Sequence, residues 1–334
     1  MTVTTLKPPC ETANPAPVRP AASIRRTSSI DVSWPDGATG DRVMHGVARD
    51  FLTPHNGESS VRAEATMEAV LKLDRTISAI SATPAPANLQ RLVGARGGGH
   101  LRMLTQEIMP ELIETADPLY LLLDDISGTS LVSSWAWSLW NPEWLAAMRE
   151  SMGGDMQKMM EERAGVCWGL QRGNSGMDPN RSAMGDQAAD GGELRNPSDP
   201  AGWHDFPALE GVTMRRARRI DVWRDADTGL IRIDSAFQDS APRPDGTRAA
   251  LHEYRLEASA DPDTLELVTL EPEARVLPFH ECPGAVTNAV ALTGSSLPEI
   301  RQSVLTELRG PRGCTHLNDA LRALADVPKL LSYL

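Results

Sequence analysis

Apolar and polar positions alternate along two stretches of the chain, and each stretch predicts a set of short strands. A strand is centred on Ile30-Asp31-Val32 and another on Ile220-Asp221-Val222; alternating segments at 230–237, 251–258 and 265–270 extend the second set. The period then lengthens to that of helices. One helix is predicted after a Leu-x-Gly turn in each stretch, at 100–108 after Leu92-Val93-Gly94 and at 300–308 after Leu292-Thr293-Gly294. A further helix includes 317–325. Strands followed by helices read as an α+β unit, a meandering antiparallel sheet covered by helices on one face.

The two stretches share landmarks in the same order. Arg25-Arg26-x-x-x-Ile30-Asp31-Val32 recurs as Arg215-Arg216-x-x-x-Ile220-Asp221-Val222, the Leu-x-Gly turns recur, and Leu123-Asp124-Asp125 recurs as Leu317-Asn318-Asp319. The expected fold is therefore a tandem duplication of an antiparallel-sheet-plus-two-helix unit, related by pseudo-twofold symmetry, with a helical insert between the copies. The boundaries are a disordered tail rich in Pro, Thr and Ala at 1–23, a first repeat at 24–130, the insert at 131–212 and a second repeat at 213–334. In the insert, Trp135, Trp137, Trp140 and Trp144 fall within ten residues, and Asn141-Pro142-Glu143 reads as a helix start. Trp144, Met148, Met152, Met156 and Met160 follow as an apolar stripe, and 172–202, dense in Gly, Asp, Asn and Pro, read as a mobile loop.

Composition removes several function classes. Lys+Arg total 33 against 45 Asp+Glu, a net charge of −12, which argues against a nucleic-acid partner. Only Lys7, Lys72, Lys158 and Lys329 are lysines, none in a setting for Schiff-base chemistry. No apolar run is long enough for a membrane helix, the first residues lack a secretory core, and four scattered cysteines make no disulfide scaffold. A cytoplasmic protein is expected, and a homo-oligomer is compatible with it.

Cys282, the run Gly313-Cys314-Thr315-His316-Leu317, the doubled arginine before Ile220-Asp221-Val222, and Leu121-Leu122-Leu123-Asp124-Asp125 resemble the bacterial DUF2889 proteins. Trp203-His204 ahead of Met214-Arg215-Arg216 is similar to the long, two-part members, and the resemblance spans most of 24–330. It implies a bacterial protein of catabolic type and no particular reaction. The first copy departs from the pattern: Tyr120, Leu121 and Leu122 stand where Cys314, Thr315 and His316 stand in the second.

Five constellations offer chemistry. His280-x-Cys282 and Cys314-x-His316 supply the donors of a tetrahedral zinc site, although small buried packing cysteines, with His316 capping a helix, are the plainer reading. Cys314 at a helix start, near His316, also fits an activated thiol. Gly94-Ala95-Arg96-Gly97-Gly98-Gly99-His100 opens a helix and can hold an anion, with His100 and Arg102 as carboxylate or phenolate ligands; a flexible turn is the plainer reading. Asp124 and Asp125 end an apolar run, where one carboxyl would titrate high and serve as acid or base, unless both cap a helix. His252 and Tyr254 share one strand face and form a proton-transfer pair if that face lines a cavity. Trp135, Trp137 and Trp140 suggest an aromatic-binding wall, or the insert's own core.

No nucleotide, pyridoxal, haem or iron–sulfur signature is present, so no cofactor is predicted beyond the zinc alternative. The reading is a cofactor-independent lyase or isomerase on an aromatic or phenolic compound, with C–C cleavage releasing a small aldehyde as one form. His100, Asp124, Asp125, His252 and Tyr254 are the candidate acids and bases. A non-catalytic binder of aromatic or acyl compounds is the alternative, and a zinc-stabilised subunit of a catabolic complex the second.

Overall fold

A computed structural model describes residues 11–141, 143, 144, 147, 150, 154–178 and 188–334. Four antiparallel strands come first: β1 (Ser23–Ser33), β2 (Arg42–Thr53), β3 (Ser60–Leu71) and β4 (Ile77–Thr83). Helices α1 (Gly99–Ile108), α2 (Pro110–Glu114) and α3 (Pro118–Val132) follow. The connecting region holds α4 (Trp135–Trp140), α5 (Gly154–Arg163) and the two-residue strand β5 (Ala189–Asp190). A second meander then runs through β6 (Thr213–Arg224), β7 (Ile231–Pro242), β8 (Arg248–Ala260) and β9 (Leu267–Val276). Helices α6 (Ile300–Glu307), α7 (Thr315–Arg322) and α8 (Val327–Leu331) close the chain.

All strands join one antiparallel sheet in the order β4-β3-β2-β1-β6-β7-β8, with β5 and β9 sharing the outer edge of β8. From the central β1–β6 pair, strands are met in the same order on either side. The pairing slips by one residue after Asp50 in β2–β3 and after Asp239 in β7–β8. It slips again between Val70 and Leu71 and between Ser259 and Ala260. Both meanders end in a turn whose glycine needs positive φ, Gly94 at 90° and Gly294 at 85°.

At the centre, the repeated Arg-x₅-Asp spacing answers itself across an antiparallel pair. Arg25 lies opposite Asp221 and Arg215 opposite Asp31, each a two-point ion pair at 2.5–2.8 Å. The central strands are buried almost throughout because both sheet faces are covered. On one face, α3 covers Met44 and Leu71 with Leu122 and Ile126. On the same face, α6 and α7 cover Ile220, Phe237 and Leu256 with Ile300, Leu317 and Leu321. The other face meets Ala16, Leu194 and Trp203, packed on Ala217.

That second layer revises two expectations. Residues 11–22, read as part of a disordered tail, are tied down: Arg19 pairs with Asp199 at 2.8 Å and the Ala16 amide donates to the Leu194 carbonyl at 3.1 Å. The same contacts anchor 188–202, read as part of a mobile loop, and Asp199 also lies 3.8 Å from Arg25 of β1. Residues 1–10, Pro142, Met148, Met152 and 179–187 lie outside the described residues.

Candidate functional site

The site forms where the second meander meets α7. Pairing across β6, β7 and β8 sets Arg216, Asp239 and His252 in one row, with Arg218, Phe237 and Tyr254 in the next. The one-residue slip after Asp239 brings His252 opposite it. From above, α7 contributes Cys314 at its N-cap and His316 in its first turn. The His316 ring stacks on His252 at 3.8 Å between centroids and lies parallel to Phe237 at 6.3 Å; Phe237 and Tyr254 are 6.0 Å apart. Asp239, His252, Tyr254 and His316 are all buried.

Charge is arranged around this stack by arginines. Arg216 binds both oxygens of Asp239 at 2.7 and 2.8 Å and approaches Asp125 and Asp319 at 3.4 and 3.6 Å. Burial pushes the Asp239 carboxyl up, but the charge and hydrogen bonds of Arg216 outweigh it and hold the group well below the usual carboxylate range. Burial pushes His316 well below the ordinary imidazole value, with His252 and Arg216 adding to the effect, so it is neutral at pH 7. His252 Nδ1 sits 3.3 Å from Asp239 Oδ2 but out of hydrogen-bond geometry. His316 Nε2 also meets no partner at hydrogen-bond geometry, while the Tyr254 hydroxyl lies against the Cys314 thiol. An unpaired buried polar group costs about 1–3 kcal/mol, which makes the cluster around His316 Nε2 the candidate site.

Thiols complete the wall. Cys167, Cys282 and Cys314 are buried and free, and all three lie near Tyr254. The connecting region closes over them: the Trp168 amide donates to the Gly313 carbonyl at 2.7 Å, and a Cβ on Gly169 would fall 2.6 Å from Cys282 Sγ. Burial raises Cys314 to about 11, so the expectation of a helix-activated thiolate is reversed.

Among the described residues, the His, Cys, Asp and Glu donors close enough to share a metal are Asp239, His252 and His316, within 4.8 Å of one another. Two imidazoles and a carboxylate suit a divalent transition metal. Of the expected zinc set, His316 is in this group; His280 is exposed, and Cys282 and Cys314 line the thiol wall instead.

The remaining sequence candidates divide. His252 and Tyr254 come together on one face, as expected. Asp124 and Asp125 cap nothing: they sit in the middle of α3, where Asp117 is the cap. Burial raises Asp124, but Arg102 and Arg322 hold it below its ordinary value, and Arg218 binds Asp125 at 2.7 and 3.1 Å. The expected high-titrating carboxyl is thus replaced by buried ion pairs. Arg102 is committed to Asp124 and Asp319 rather than to a ligand, and His100 stands exposed on the first turn of α1. Trp135 is buried in the core under α3, and Trp137 packs edge-on to Trp34 at 5.9 Å. Trp140 is partly exposed and donates to the Pro242 carbonyl at 2.9 Å.

Sequence reasoning missed Asp239, Phe237, Arg216 and Arg218. On the opposite side of the β1–β6 pair, the corresponding rows hold Asp50 facing Ala63 and Ala48 facing Ala65. The arginine–aspartate pair is present there, since Arg26 binds Asp50 at 2.6 and 2.7 Å, but no imidazole or phenol joins it.

No helix among the described residues is long and apolar enough to cross a membrane. Neither curated proteins nor solved structures give a match to the chain. One family model does match, over the stretch running from β6 to α8 that carries Asp239, His252, Tyr254, Cys314 and His316. Residues 214–329, the C-terminal part of the chain, match the model of DUF2889, a protein of unknown function.

Proposed function

We propose that the chain is a cofactor-independent lyase or isomerase acting on a small aromatic or phenolic compound, with its acids and bases at His252, His316 and Tyr254. The observation that carries this reading is the stacked, buried imidazole pair, with His316 Nε2 unpartnered and His252 Nδ1 facing Asp239. A neutral His316 can accept a proton through Nε2, and the Tyr254 phenol, which burial keeps protonated, can donate one. Asp239, fixed by Arg216, favours a proton on the His252 nitrogen that faces it. The ring stack of Phe237, His316 and His252 is what suggests an aromatic substrate. The tryptophan helix α4 packs on β7, the strand that carries Asp239.

The reading includes descent of the two meanders from one tandemly duplicated unit, related by a pseudo-twofold axis through the β1–β6 pair. It draws support from the reciprocal Arg25–Asp221 and Arg215–Asp31 pairs and from pairing slips at corresponding places, after Asp50 and after Asp239. One copy then kept the arginine–aspartate frame while the other acquired the catalytic side chains.

The test is turnover of a panel of aryl alcohols and phenolic aryl-propanoid compounds by the purified chain without added cofactor. Consumption of one compound, lost in His316→Gln and Tyr254→Phe variants that remain folded, supports the reading. Saturable tryptophan quenching with unchanged ligand replaces it with a binding protein. Stoichiometric metal whose removal abolishes turnover replaces it with metal chemistry at Asp239, His252 and His316.

A further inference from the structure

We infer that the chain carries an anion site for a phosphate or pyrophosphate group at the tip of the β3–β4 hairpin, built by Arg42, Arg75, Arg96 and Arg163. In a chain of net charge −12, most buried arginines face a carboxylate; buried Arg42, half-buried Arg75 and Arg163 and exposed Arg96 make no ion pair among the described residues. Backbone contacts hold three of them together. Arg42 donates to the carbonyls of Lys72 and Leu73 at 3.1 Å each, Arg96 donates to the Asp74 carbonyl at 2.9 Å, and the Gly97 amide donates to the Arg75 carbonyl at 2.9 Å. Arg163, at the end of α5, lies close enough to repel Arg75, as do Arg96 and Arg42.

The charges are poorly compensated. Among the described residues, the carboxylate that offsets Arg42 and Arg75 is Asp74, which is exposed and turned to the Thr76 amide at 2.9 Å. Arg42 is buried with Nε unpartnered. Among the described residues the guanidinium groups of Arg75 and Arg163 find no hydrogen-bond partner, and Arg75 holds its backbone in the left-handed region at φ 71°. Burial first, and like charge second, push Arg75 below its ordinary value. Like charge gathered in this way favours an anion beside it.

The rim adds donors suited to phosphate. Gly97, Gly98 and Gly99 lead directly into the ten-residue helix α1, whose N-cap Gly98 makes no side-chain cap. Arg96 and Lys72 are exposed, which leaves the cluster accessible. Arginine forks match phosphate oxygens in a two-point geometry. The site does not rest on the role given to His252 and His316, although Arg163 stands only four residues before Cys167 of the thiol wall.

Calorimetric titration of the full chain with pyrophosphate tests the assignment. Wild type is expected to bind, more weakly as salt rises, and Arg75→Gln/Arg163→Gln is expected to lose about tenfold or more in affinity. Without ligand, the double variant is expected to melt no lower than wild type, because like-charge repulsion is relieved; a purely structural role predicts a lower melting point. Exposed Arg96→Gln provides a variant whose folding is not in question and is expected to weaken binding, while Arg224→Gln at the far end of β6 is expected to bind as wild type. Absence of binding, or equal binding by wild type, the double variant and Arg96→Gln, overturns the site. General salting-out by phosphate raises the melting point of all four proteins alike and so separates from binding.

Discussion

Replacing Arg216 with methionine removes one side chain from the seam between sheet and helices. Asp125 keeps Arg218 and Asp319 keeps Arg102 and Arg322, so the group left stranded is Asp239, which has no exposed surface. Breaking a buried pair by removing one partner costs about 3–5 kcal/mol. A chain of 334 residues has an unfolding entropy of about 0.7 kcal/mol/K, so the melting temperature should fall by about 4–7 °C at pH 7. The pH dependence carries the sign. In wild type, Asp239 titrates below its unfolded value, so its stabilisation is present above about pH 4 and fades as pH falls through the folded value. In the variant, burial is left without its counterweight and the carboxyl titrates above its unfolded value. Its penalty is then relieved by protonation, and the gap between the two proteins narrows as pH falls from 7 towards about 4.5. Thermal and urea unfolding at both pH values measure this gap. A loss under about 1 kcal/mol at pH 7, or a gap independent of pH, would refute the reasoning. Arg216→Met/Asp239→Leu should recover most of the loss, because an apolar pair of similar volume removes both charges together.

Cys314, raised by burial to about 11, should resist a thiol reagent at pH 7.5 in the native protein and react only on unfolding; fast native labelling of Cys314 contradicts the site geometry. Gly128→Ala would set a Cβ 2.1 Å from Arg216 Nη1 and 2.9 Å from Asp319 Oδ2. It should destabilise by about 1–3 kcal/mol in urea unfolding, and a neutral result would mean that α3 sits farther from the arginine seam.

Strands β1 and β6 to β9, the two turn glycines and the start of α7 were legible because each depends on local chemistry; β2 to β4 were not singled out. The reciprocal motif around Ile30 and Ile220 was visible too, although its meaning as an ion-paired strand seam required knowing that β1 and β6 are antiparallel neighbours. Asp239 was nearly legible. Pro244-Asp245-Gly246 marks the hairpin turn, and counting outwards from Pro242 opposite Arg248 places Asp239 opposite Leu251. The one-residue slip moves the partner to His252, and nothing local in the sequence announces it. Asp124 and Asp125 misled because adjacency suggests a shared proton, whereas their arginines come from α1, β6 and α7, distant in sequence. The tryptophans misled for a different reason. An indole at 135 reads the same whether it faces a ligand or fills the core, and here it fills the core.

A crystal of the full chain soaked with a phenolic compound that the protein consumes or binds tests the central claim most directly. The account predicts the aromatic ring seated beside Phe237 and His316, with a polar atom within hydrogen-bond distance of His316 Nε2 or Tyr254 Oη. A ring bound elsewhere, out of reach of those two atoms, contradicts it.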